Sequence, residues 1–221
     1  MSERNADVTI RLHRFLPMTE AEGPGRRAAI WVQGCPIHCH GCFNHQTWSP
    51  QGGYGRTVHD LFREISAQPD LEGVTFTGGE PFAQAGPLAR LGRLCRDAGL
   101  SVVTYTGYEH NRLRRSKRAH WQALLDVTDI LLAGPFVRKL ADSSRPWVGS
   151  SNQEFVFLTG RYRQLKQRIG LPANQIEVRV ADHSISLNGT APEDEIFAVR
   201  KHLAQLGLCL THQRSSETCQ R

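Results

Sequence analysis

The chain has 221 residues, 39% of them apolar and 20 of them glycine, which suits one domain of ordinary size with an appendage. The polar N-terminus, MSERNADV, lacks the apolar stretch of a secretory signal, and no segment approaches the length that spans a membrane. A soluble, cytoplasmic protein with reduced thiols is the expectation, and a formal charge of +6 turns attention to where the cations cluster.

Val8 to Leu16 alternates apolar with polar residues and predicts an opening strand. A charged, glycine-rich loop follows from Glu20 to Arg27. Ala28 to Gln33, AAIWVQ, is a short apolar strand that delivers the chain into GCPIHCHGCFNHQTW, residues 34–48. Here Cys35, Cys39 and Cys42 stand at C-x3-C-x2-C, half of the six cysteines within eight residues. They read as ligands of one metal centre. A cubane [4Fe–4S] cluster usually takes four thiolates, and no fourth cysteine is near, since Cys95 comes next. A cluster here keeps one iron open to a small molecule, and an open position marks catalytic rather than structural metal sites. Zinc is the competing reading, because His38 and His40 are interleaved with the cysteines and Cys3His is a common structural set. Both histidines lie inside the loop, however, and no second ligand pair follows at finger or ribbon spacing.

Ser49 to Gly55 predicts a turn-rich spacer. Thr57 is a suitable N-cap for a helix through about Ala67, with Val58, Leu61, Phe62 and Ile65 on one face. Gly73 to Thr77 is a buried-type strand ending in Gly78-Gly79-Glu80-Pro81. Pro87 to Ala98 predicts an amphipathic helix whose apolar stripe includes Cys95, a core residue on this reading. Ser101 to Tyr105 is the next strand, ending at Thr106-Gly107. Tyr108 to Asp126 predicts one helix carrying Arg112, Arg114, Arg115, Lys117 and Arg118. A solvated helix face accounts for that run, with docking to an acidic partner as the other reading. No nucleic-acid-binding motif accompanies it, so nucleic acid is not expected as a partner. Asp129 to Ala133 is another buried strand, broken by Gly134-Pro135.

Alternating strands and helices predict an α/β fold, a partial, open (β/α) barrel-like parallel sheet with too few strands to close. The remainder reads as a small α+β extension. It has a strand at Phe155 to Thr159, a short helix at Tyr162 to Ile169, an antiparallel pair at Ile176 to Val180 and Ser184 to Leu187, and a helix from Glu193 to Leu206. The expected division is 1–158 for the core with its N-terminal strand, 159–210 for the extension, and 211–221 for a polar, disordered tail holding Cys219.

Adjacent parallel strands put the cysteine loop and the Gly-Gly-Glu turn at one end of the sheet. Gly78 and Gly79 let the backbone approach a ligand and offer unhindered N–H groups, and Glu80 adds a carboxylate for an ammonium group. GCPIHCHGCFN and TGGEP together resemble the cluster motif and the methionine-amino-group motif of the radical S-adenosylmethionine superfamily. Within it, CHGCFN with Trp48, the YTGY segment (Tyr105 to Tyr108), DILLAGPFV and WVGSSNQ (Trp147 to Gln153) resemble the activating enzymes of anaerobic ribonucleotide reductase. The likeness spans residues 8–158 and retires the zinc reading.

The resemblance implies a [4Fe–4S] cluster on Cys35, Cys39 and Cys42, with S-adenosylmethionine on the open iron. It implies reductive cleavage of the sulfonium to methionine and a 5′-deoxyadenosyl radical, which removes a hydrogen atom from a glycine Cα of a partner enzyme. A flavodoxin or ferredoxin is the implied electron donor. Gly41 and Phe43 match nucleoside-contacting positions, and Gly78, Gly79 and Glu80 match the amino-group site. Thr104 and Thr106 stand at a strand end on the same rim, where a ligand contact and an ordinary structural role are both open; so it is for Asn152 and Gln153. Trp48 is read as a shield. Two departures stand out. Ala133 occupies a place where the family usually has Asp, which removes a carboxylate from the active-site mouth, and the compact family form lacks the extension. A radical enzyme acting on a peptide or small metabolite, and a non-enzymatic iron–sulfur carrier or sensor, are the alternatives.

Overall fold

The structure, a computed structural model, describes residues 8–167, 175–181, 184–189 and 193–205. Its main sheet has seven strands: β1 (Thr9–Thr19), β2 (Arg27–Val32), β3 (Tyr54–Thr57), β4 (Gly73–Gly78), β5 (Ser101–Thr106), β6 (Ile130–Ala133) and β7 (Glu154–Phe157). They lie in the order β3-β1-β2-β4-β5-β6-β7. β2, β4, β5 and β6 are parallel neighbours, and antiparallel strands border them on both sides. The result is the open, mostly parallel sheet that the sequence predicts. The apolar runs explain it: strands covered on both faces read as continuous hydrophobic stretches, and every residue of β2 and β6 is buried.

Helices α1 (Val58–Ser66), α2 (Ala85–Asp97), α3 (His110–Arg114) and α4 (Ala119–Val127) supply side chains to the core on one face. That core joins Ile10, Leu12, Ile30, Val32 and Phe76 of the strands to Leu61, Leu88, Cys95 and Trp121 of the helices. Thr57 caps α1 as expected, its hydroxyl accepting from Asp60 N at 3.0 Å. A second cluster on the opposite face holds Val103, Ile130, Leu132, Val148 and Tyr162.

Several sequence expectations change. The spacer before Thr57 contains edge strand β3, whose pairing with β1 supplies order that its glycines do not advertise. The predicted helix from Tyr108 to Asp126 is two helices. Gln122 Nε2 donates to the carbonyls of Leu113 and Ser116, satisfying the end of α3 in the gap. Arg112 and Arg118 each lie 4.6 Å from an aromatic ring, Tyr108 and Trp121, so the basic run is not one uniformly solvated face. The predicted helix at Tyr162 to Ile169 is instead a turn over residues 162–164 that runs into a short 3₁₀ helix, Leu165–Gln167, and residues 168–169 lie outside the described residues. So do the tail and Cys219.

The extension forms a hairpin of β8 (Ile176–Ala181) and β9 (Ser184–Gly189), followed by helix α5 (Glu193–Gln205). The hairpin is tied to the end of β1. Thr19 Oγ1 and Glu20 N donate to the Glu177 carboxylate at 2.6 and 3.0 Å, Asn188 Nδ2 donates to Thr19 Oγ1 at 2.8 Å, and Arg179 reaches the Met18 carbonyl.

At the opposite end of the parallel strands from the cysteine loop, Arg27 is fully buried. Its guanidinium donates to Thr75 Oγ1, Ser101 Oγ, Tyr162 Oη and the carbonyls of Pro24, Val74 and Ser101, at 2.7 to 3.3 Å. Removing such a group orphans several buried acceptors at once. Arg27→Met is expected to cost about 3 kcal/mol of stability, seen as a lower urea midpoint at unchanged m-value.

Candidate active site

The cysteine loop leaves the end of β2 and folds back onto its own exit. Gly34 N donates to Thr47 O at 2.7 Å, Cys35 N to Trp48 O at 3.1 Å, and Gln33 Nε2 to Ser49 O at 2.6 Å. Cys42 N closes a turn on Cys39 O at 3.1 Å. His38 takes a left-handed φ of 51°, and its ring stacks on Trp48 with centroids 4.7 Å apart. His38 is thus occupied in packing.

All three thiols are free, half-buried and turned toward one cavity of about 270 Å³. Burial pushes the Cys35 and Cys39 thiols up, while backbone hydrogen bonds from His38 and Ile37 to Cys35, and from Phe136 to Cys39, oppose this. Such N–H···S contacts are among the levers that tune an iron–sulfur potential. Among the described residues, no three His, Cys, Asp or Glu side chains come close enough to hold a single metal ion. Three thiols around one cavity match in number three corners of a cubane.

The facing wall is the Gly-Gly-Glu turn at the end of β4. Gly79 N donates to Val32 O at 2.8 Å and Glu80 N to Gly34 O at 2.9 Å, joining this turn to the start of the cysteine loop. The Gly79 N–H is therefore engaged, which corrects the expectation that it is open to a ligand. The glycines answer to strand contact instead. A Cβ on Gly78, at φ 99°, would lie 2.6 Å from Trp31 Cα, and one on Gly79 would lie 2.3 Å from Gly34 O. Glu80 is completely buried although it borders the cavity. Oε1 accepts from Phe82 N and Thr106 Oγ1, and Oε2 from Gly107 N, each at 2.9 Å. Burial raises its carboxyl to about 7 against those three donors. Its side chain joins the ends of β4 and β5, a task the sequence expectation of an ammonium acceptor did not include.

Phe43 borders the cavity, half exposed, its ring 5.5 Å from Phe136. Gly41, at φ 81°, sits behind, where a Cβ would come 3.3 Å from Arg138 Cδ. Thr106 reaches the cavity and Thr104 does not; the buried Thr104 hydroxyl pairs with Thr128 Oγ1 at 2.9 Å, on the helix side of β5. Likewise Gln153 faces the cavity, while Asn152 Nδ2 donates to Pro135 O at 2.8 Å. Ala133 packs in the helix-side core, so the cavity wall there is Leu132 and Gly134, and the replaced carboxylate does not belong to the mouth. Strand alternation, with its period of two, carries the signal for Ala133, which stands between the cavity-facing Leu132 and Gly134. It also marks Trp31, Thr77 and Tyr105, which line the cavity and which motif reading passes over.

A half-open parallel sheet, with three thiols on one loop spliced to a Gly-Gly-Glu turn, defines a radical S-adenosylmethionine protein. The chain belongs to the 4Fe-4S single cluster domain family, whose model matches residues 21–156. It is 32% identical over 151 residues to the anaerobic ribonucleoside-triphosphate reductase-activating protein of Vibrio cholerae, covering 64% of this chain and 94% of that one. The protein of the same name from Salmonella typhimurium is 31% identical over 152 residues, with 65% and 96% covered. The pyruvate formate-lyase-activating enzyme of Clostridium pasteurianum is 30% identical over 128 residues, 55% of this chain and 50% of that enzyme.

Cys39→Ala is expected to lower iron and sulfide per reconstituted chain to background without unfolding the sheet; full loading would remove Cys39 from the ligand set. Glu80→Gln places an amide N–H against backbone donors. It is expected to cost about 2 kcal/mol in thermal or urea unfolding, and an unchanged midpoint would contradict the bridge.

Proposed function

We propose that this chain cleaves S-adenosylmethionine reductively and uses the product to place a glycyl radical on a partner enzyme, a reading supported by relatives whose names make them activators of a reductase and of a lyase. The carrying observation is that three thiols and the Gly-Gly-Glu turn form opposite walls of one cavity and are joined by backbone hydrogen bonds. Bound there, a [4Fe–4S] cluster would supply the single electron for reductive cleavage of the sulfonium. Cys35, Cys39 and Cys42 would hold the cluster on their wall of the cavity, with the cofactor beside it. With both oxygens of the Glu80 carboxylate already accepting, backbone carbonyls of the turn are the acceptors left for the ammonium. Phe43 and Phe136 offer an apolar face to the nucleoside, and Trp48 with His38 screens the loop from water.

Among the described residues no helix is long and apolar enough to cross a membrane. A cytoplasmic setting and a flavodoxin or ferredoxin donor complete the proposal. The cations of α3 and of the segment that joins it to α4 (Arg112, Arg114, Arg115, Lys117 and Arg118) follow the rim strand β5, a position suited to an acidic donor. One observation favours the second reading, modification of a peptide or small metabolite: β9 walls one side of the cavity and narrows the approach.

Anaerobically reconstituted, reduced protein is expected to release 5′-deoxyadenosine and methionine in equal amounts. With a glycyl-radical reductase from the same cell it is expected to give a doublet EPR signal on that partner. An intact cluster without cleavage would overturn the enzyme reading. Cleavage without a radical on the partner would favour the second one.

A further inference from the structure

The cavity extends inward past the strand ends, to a wall that neither the cysteine loop nor the Gly-Gly-Glu turn uses. Arg14 of β1, Trp31 of β2 and Thr77 of β4 are successive register partners, and Tyr105 of β5 continues the row. Glu22, from the loop after β1, joins them, and Leu187, Asn188 and Gly189 of β9 close one side. Tyr105 precedes Thr106, whose hydroxyl is bonded to Glu80, so this row lies about one residue rise, ~3.3 Å, inside the rim.

Two of the polar side chains of this wall, Tyr105 and Arg14, make no hydrogen bond among the described residues, and Glu22 has bonding capacity to spare. Among the described residues the Tyr105 hydroxyl has no hydrogen-bond partner, and its acidity is shifted by burial and by the Glu22 and Arg27 charges alone. The Arg14 guanidinium likewise makes no hydrogen bond and rests 5.1 Å over the Trp31 ring. Burial pushes the Glu22 carboxyl up to about 8, opposed by the Arg14 charge and a hydrogen bond from the Gly189 backbone. Burial thus favours its uncharged form, which can both accept and donate. Unused polar groups lining a closed space beside a reactive centre fit a polar ligand that supplies their partners.

We propose that Arg14, Glu22 and Tyr105 form the subsite that grips the polypeptide backbone of the radical acceptor, with β9 as its side wall. A backbone amide offers what these groups lack. Its carbonyl accepts from Arg14 and Tyr105, and its N–H donates to the Glu22 carbonyl oxygen. An uncharged Glu22 suits a neutral amide better than the ammonium of a free amino acid, and the Trp31 face takes the flat amide plane. Gripping the backbone one row inside the rim holds a glycine Cα toward the cofactor while leaving side-chain identity open. This inference rests on the proposed function and adds its substrate contact. The step itself is a hydrogen-atom transfer: the Cα–H bond breaks, a C–H bond forms on the 5′ carbon, and the unpaired electron stays on the glycine.

The test uses the reconstituted, S-adenosylmethionine-loaded protein and the capped peptide acetyl-Ala-Ala-Gly-Ala-Ala-amide, deuterated at the glycine Cα, with free glycine in parallel. Calorimetry is expected to show saturable peptide binding, about ten-fold weaker in Arg14→Met and in Glu22→Ala. Tyr105→Phe, which removes one hydroxyl and is least able to disturb folding, weakens it too. The fraction of 5′-deoxyadenosine carrying deuterium falls in the same order. No saturable binding by the wild-type chain, wild-type affinity in all three variants, or uptake of free glycine in place of the peptide overturns the subsite. Peptide binding of the expected pattern by a protein that cleaves no S-adenosylmethionine would keep the subsite and sink the activity.

Discussion

Two backbone hydrogen bonds, from Gly79 N to Val32 O and from Glu80 N to Gly34 O, splice the two functional loops into one unit. Everything at the site depends on that splice. It exists because β2 and β4 are parallel neighbours in register from Arg27↔Gly73 to Val32↔Gly78, so their C-terminal ends emerge side by side. It demands glycine at 78 and 79, because a side chain at 78 collides with the β2 backbone and one at 79 with the Gly34 carbonyl. The motif is conformational before it is chemical: the strands must touch for the thiols and the turn to share a cavity.

Glu80 extends the same logic to a third strand. A fully buried carboxylate costs desolvation, offset here by two backbone N–H donors and one hydroxyl, of which Gly107 N and Thr106 Oγ1 lock the end of β5 to β4. The rim is therefore held from β2 through β4 to β5 by groups with no freedom to spare. Rigidity of this kind suits a site that must hold a reactive species in one place and keep water away from it. The uncommitted polar groups lie one row further in, on a wall closed by a hairpin that Glu177 and Asn188 anchor to β1.

Much of this was legible in the sequence. Continuous apolar runs such as AAIWV and DILLA announced buried parallel strands, and the cysteine spacing with the glycine pair announced the site. What was not legible follows from direction rather than identity. Thr104 and Thr106 are the same residue type two apart, which alternation alone puts on one face. The structure separates them by the bend at the end of β5, where Thr106 reaches Glu80 and Thr104 pairs with Thr128. Asn152 and Gln153 are neighbours, and one faces the cavity while the other braces Pro135. The break between α3 and α4 depends on Gln122, a contact across nine residues that no propensity contains. Arg14 and Glu22 carry no motif; only folding brings β1, its loop and β5 to one wall.

The central claim is that three thiolates hold the cluster and leave one iron for S-adenosylmethionine. EPR and electron–nuclear double resonance on the reduced, reconstituted protein test it most directly, with the cofactor labelled by ¹⁵N at its amino group. The account predicts that adding the cofactor changes the cluster signal and that the labelled nitrogen couples to it strongly, as a ligand of one iron. A cluster signal that ignores the cofactor, with no nitrogen coupling, would contradict it.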